Sequence, residues 1–170
     1  MPLSLFSNPI GWIQQLLKGK KRFHRAYQRP HSFFIPHLKG LPFHHADTVS
    51  QLLVDHWEEI REEFYAVEHL EISTPSTRLI DTGTWNTFPL MRSAKEIPEN
   101  TARCPKTWAV VNGCPLLNGI RGGAYFSIIY PGTHIDSHCG PSNLKLRYHL
   151  TIEEANDIQI RSAQTWNTWK

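Results

Sequence analysis

Val49, Leu52, Leu53, Trp57, Ile60, Phe64 and Val67 recur at the spacing of one helical face. Asp47 or Thr48 offers an N-cap immediately before this run. Glu58, Glu59, Arg61, Glu62 and Glu63 fall mainly on the opposite face. The spacing predicts a helix over 48–67 with a solvated acidic side. Further on, Leu144, Leu146, Tyr148, Leu150 and Ile152 alternate with Lys145, Arg147, His149 and Thr151. Strict period-two alternation predicts a half-buried strand.

Weaker patterns fill the space between these two runs. Residues 74–91 read as strand interrupted by Pro75, Gly83 and Pro89, and 100–111 as a short helix broken near Pro105. Residues 124–130 read as a strand between a turn at Arg121-Gly122-Gly123 and a turn at Pro131-Gly132. Another short strand follows Asn156-Asp157. A helical front half leading into antiparallel strands gives the α+β class, or a β-barrel or jelly roll with helices packed outside.

The N-terminal segment, 1–28, stands apart. Ile10, Ile13, Leu16 and Leu17 share a face beside Trp12, and Lys18, Lys20, Lys21, Arg22 and Arg25 crowd behind them, with Arg29 just beyond. A solvated basic tail is the plainer account; peripheral contact with an anionic membrane is the sharper one. A second unit, 29–170, is expected to be the folded domain. Its entry, "RPHSFFIPHLKGLPFHHADT", is too rich in proline for regular helix.

Composition narrows the function classes. The chain has 170 residues with 40% hydrophobic and 19% charged, enough for one domain with its own core. A net charge of +3 is too small to imply nucleic acid. No stretch reaches the ~20 continuous apolar residues of a membrane span. Three cysteines form no disulfide framework or zinc pattern, so free thiols in a reducing, cytoplasmic setting are expected.

Chemistry concentrates in "PGTHIDSHCGPSNLKLRYHL", residues 131–150. In an extended chain His134, Asp136 and His138 lie on one face. Imidazole and carboxylate suit Fe(II), Zn(II) or Mn(II). His134-Ile135-Asp136 has the spacing of a two-histidine, one-carboxylate iron site, a pair that also occurs by chance. Arg147 and His149 share a strand face. They are either an ordinary solvent face or a clamp for a carboxylate.

These motifs resemble the aspartyl/asparaginyl β-hydroxylase family of Fe(II)/2-oxoglutarate-dependent dioxygenases. The likeness runs from about Arg29 to Lys170, through "DTGTWNTFPL" and "CPKT", and is strongest over "YFSIIYPGTHIDSHCGPSNLKLRYHLTI". It implies a double-stranded β-helix, or jelly-roll, core with helices outside. It implies His138 as an iron ligand, ahead of His134 and Asp136. Gly140 then stands where other dioxygenases place a carboxylate. It implies Arg147 and His149 on the far carboxylate of 2-oxoglutarate, Ser127 hydrogen-bonded to the same co-substrate, and Trp85 lining the pocket. The implied substrate is an Asp or Asn side chain in a protein, or a related lipid acyl chain. The family pattern also includes a second iron histidine on a later strand, and no histidine follows His149. The expectation is therefore half an iron site, with the last strands missing. Such a domain is either an incomplete hydroxylase or a non-catalytic binding module.

Overall fold

A computed structural model describes residues 35–38, 40–73, 79–114, 122–140, 142–153 and 158–168. The basic segment 1–28 lies outside the described residues. Among those described, no helix is long and apolar enough to cross a membrane.

The long amphipathic run forms two helices, α1 (Thr48–Asp55) and α2 (Trp57–Val67). Asp47 caps α1 by accepting from the Ser50 backbone N–H at 2.9 Å. The expected single helix breaks at His56, whose backbone leaves the helical region at φ −105° and ψ 16°. His56 then carries its Nδ1 to Glu59 Oε2, 2.8 Å away. Glu58 and Glu59 in the first turn of α2 complement the positive helix end.

Strand β1 (Ile72–Ser73) follows, then β2 (Ile80–Thr82), β3 (Trp85–Arg92) and β4 (Lys95–Glu96). Two short helices, α3 (Pro98–Thr101) and α4 (Pro105–Gly113), each open with proline in the first turn. Next come β5 (Ala124–Ile129), β6 (His134–Ile135), β7 (Gln159–Ser162) and β8 (Thr165–Thr168). All described pairings are antiparallel.

β3 is the central strand. β5 runs along one edge, while β1 and β4 share the other. Pro89 does not end it, as the sequence pattern suggested. The register slips by one residue between Pro89 and Met91, a bulge that accommodates the missing N–H. Phe88 and Leu90 of β3 and Phe126 of β5 meet Ile60, Phe64 and Val67 of α2, together with Cys104. Phe64 and Phe126 pack as tilted rings with centroids 5.4 Å apart.

One acidic residue leaves the solvated face. Glu63 accepts from the backbone N–H groups of Lys106 and Thr107, each at 2.8 Å, and so caps α4 from α2. The three cysteines are free thiols, as expected. Burial pushes the Cys104 thiol up to about 11.

The clearest sequence alternation does not give a strand. Residues 145–151 carry no regular structure, and Leu144 and Leu146 are 54% and 59% exposed. A strand needs a neighbour to complete its ladder. Here side chains anchor the segment instead. Tyr148 Oη donates to Asp47 at 2.7 Å, and Trp57 Nε1 donates to the Thr151 carbonyl at 2.7 Å. Of the five apolar positions of the predicted pattern, Leu150 and Ile152 pack against the core.

Candidate active site

The β3–β5 register decides which side chains share a face. Thr87 lies opposite Ser127, and Trp85 opposite Ile129. These four point away from the helices, because Phe88 and Phe126 point toward them. Trp85 and Ser127 are therefore diagonal neighbours on the far face. Trp85 Nε1 donates to Ser127 Oγ at 2.9 Å. An indole can only donate, so Ser127 accepts and keeps its own O–H for another partner. Trp85 is buried and Ser127 exposed, so the pair presents a hydroxyl on a fixed aromatic wall.

After β5 the chain turns at Pro131-Gly132, where Gly132 takes φ +76°. β6 then pairs with β2. Ile80 faces Ile135 and Thr82 faces His134, so Asp81 is an extra residue between them. The Asp136 N–H continues the pairing to the Leu79 carbonyl at 2.7 Å. Asp81, His134 and Asp136 bring one ligand atom each within 4.8 Å of one another. Two residues on, His138 Nδ1 lies 2.8 Å from the Asp136 carbonyl oxygen. A carbonyl only accepts, so Nδ1 carries a proton, and in the neutral ring Nε2 carries the lone pair. Arg161 of β7 donates to Ser137 Oγ at 2.7 Å, which ties β7 to this turn.

The third part is the irregular segment beyond Gly140. Asn143 pairs its side-chain amide with both backbone groups of Ile35, at 2.9 and 2.8 Å. Arg147 and His149 follow, and both are exposed. Arg147 thus lies on an exposed irregular segment and not on the strand the alternation predicted. Burial, and then the Arg147 charge, hold His149 below the ordinary imidazole range, although part of the residue stays open to solvent. The neutral ring is favoured there.

Of the residues singled out from the sequence, the fold joins Trp85 with Ser127, and His134 with Asp136. It gives His138 a partner that fixes its tautomer. Asp81 was missed. It sits 53 positions before His134 in the chain, and only the β2–β6 register brings it in. The turn residue Gly83 was its nearest sequence signal.

Known proteins resemble this chain. The sequence profile of the family described as aspartyl/asparaginyl beta-hydroxylase matches residues 54–170. The aspartate beta-hydroxylase domain-containing protein 2 of Xenopus tropicalis is 32% identical over 145 residues, covering 79% of this chain and 39% of that protein. The human aspartyl/asparaginyl beta-hydroxylase is 32% identical over 119 residues, 67% of this chain and 16% of its own length. The ornithine lipid ester-linked acyl 2-hydroxylase of Rhizobium tropici is 41% identical over 90 residues, 51% of this chain and 30% of its own. The chain thus spans less than half the length of each of these relatives. A match across residues 54–170, which includes the β3–β5 face, the His138 turn and the Arg147 segment, places this chain in the aspartyl/asparaginyl β-hydroxylase family.

Proposed function

We propose that this chain is an Fe(II)/2-oxoglutarate-dependent hydroxylase domain on a jelly-roll-type core, acting on Asp or Asn side chains of a protein or on a related lipid acyl chain. The observation that carries the reading is His138. Its Nδ1 is tied to the Asp136 carbonyl, which is how metal-binding histidines are commonly oriented, with Nε2 presented to the ion. Bound iron would supply oxygen activation, with 2-oxoglutarate converted to succinate and carbon dioxide and one oxygen atom entering a substrate C–H bond.

The protein's own groups have simpler tasks. Ser127 offers a hydroxyl to a co-substrate oxygen, and Trp85 holds that hydroxyl in place. Arg147 offers a guanidinium fork to the far carboxylate. His149, kept neutral, donates one further hydrogen bond from its single ring N–H.

The test is binding of 2-oxoglutarate with and without Mn(II) as a redox-silent substitute for iron. Mn(II) should tighten binding at least about tenfold, and His138→Ala should remove that gain. Equal affinity with and without metal, or a gain that survives His138→Ala, overturns the assignment.

A further inference from the structure

We propose that Asp81, His134 and Asp136 form a second metal site, separate from His138, which holds one first-row divalent cation across the β2–β6 pair. The donor set is one imidazole nitrogen and two carboxylates. That mixture suits Zn(II) and Mn(II) better than the all-oxygen shells that calcium and magnesium prefer. Ligands at about 2.0–2.2 Å from one ion lie at most about 4.4 Å apart. The three donors already lie within 4.8 Å of one another, and His134 Nδ1 stands 3.5 Å from Asp81 Oδ2. Small side-chain rotations close the remaining gap.

The backbone fixes these donors before any ion arrives. Asp81 is the extra residue of the β2 irregularity, turned to the side that His134 and Asp136 share. Gly83, at φ +82°, lets the two segments meet closely. A Cβ there would lie 2.4 Å from the Thr133 Cα. Thr133 closes the same joint, accepting from the Thr84 N–H at 3.0 Å while its own hydroxyl faces the carbonyls of Thr84 and Tyr130. Thr82 Oγ1 donates to the Gly132 carbonyl at 3.3 Å. Preorganised ligands lose little freedom on binding. A dication would also offset two carboxylates that share one small surface.

The site does not depend on the co-substrate reading, and its test is separate. Zn(II) and Mn(II) binding to the 170-residue chain is measured by equilibrium dialysis, for the wild type and for Asp81→Asn, Asp136→Asn and His138→Ala. The proposal expects one ion retained in His138→Ala, and at least about tenfold weaker binding in each Asn variant. Thermal melts give a second readout. Zn(II) should raise the melting temperature of His138→Ala, but not of the double variant Asp81→Asn/His138→Ala. Asp81 is exposed, so its amide variant should melt like the wild type in chelator. Three results overturn the site. The wild type binds neither ion, both Asn variants bind as the wild type does, or His138→Ala loses all bound metal.

Discussion

The two groups of residues proposed above to bind the co-substrate are held in different ways. Trp85 and Ser127 sit on neighbouring strands of a backbone ladder, above a core of Phe88, Leu90, Phe126 and α2. Arg147 and His149 sit on a segment with no ladder, secured by Tyr148 to Asp47, Trp57 to Thr151 and Asn143 to Ile35. A ladder places side chains through many cooperating bonds, so no single side chain decides the position. A segment secured by individual side-chain anchors depends on each of them. Each anchor is a separate point of control over the arginine and histidine.

The largest expected effect is in the ladder half. Leu90→Ala removes a side chain that is 1% exposed, and should cost roughly 2–5 kcal/mol in a denaturant melt. A loss under ~1 kcal/mol would mean that β3 is not the centre of the core. Glu63→Ala comes next. It leaves the N–H groups of Lys106 and Thr107 without their acceptor and should cost about 1–2 kcal/mol. Glu63→Gln should recover part of that, since one amide oxygen can still accept.

Tyr148→Phe should cost only about 0.5–1.5 kcal/mol. Its sharper signature is local. Amide exchange should speed up in residues 142–151 and stay unchanged in β3 and β5. Uniform acceleration across both regions would erase the contrast between them. Thiol labelling sharpens the contrast further. Cys104, buried and with its thiol pushed up to about 11, should resist alkylation in the native state, while partly exposed Cys139 reacts.

The smallest effect is a titration. His149 should titrate below the ordinary 6.5, and Arg147→Met should raise its midpoint in an NMR titration. The folded chain then binds the proton less readily than the unfolded chain. The stability contributed by this group is present above about pH 6.5 and is lost as the pH falls toward the folded midpoint. An unchanged midpoint in Arg147→Met would show that the arginine charge does not reach the ring.

Much of the ladder half was legible in the sequence. Apolar spacing located α1 and α2, and turn residues bracketed β5. The break at His56 was not legible, because the apolar stripe runs through it without interruption. The capping role of Glu63 was hidden for a related reason. A glutamate on an acidic face looks solvated until α4 is placed beside it. Period-two alternation over 144–152 was misleading, because it records which side chains suit burial and not whether a neighbouring strand is present. Of that pattern, Leu150 and Ile152 kept their inward positions and Leu144 and Leu146 did not. The His-x-Asp pair was visible, but its third donor, Asp81, depended on strand register.

The central proposal is that these two differently held groups bind one co-substrate. Its most direct test is calorimetric titration of 2-oxoglutarate, with Mn(II) present, into the wild type, Arg147→Met and Ser127→Ala. The account predicts at least about tenfold weaker binding in Arg147→Met, as expected for losing a charge-assisted fork worth ~1.5–3 kcal/mol. It predicts a smaller loss, of a few fold, in Ser127→Ala. Wild-type affinity in both variants would contradict it.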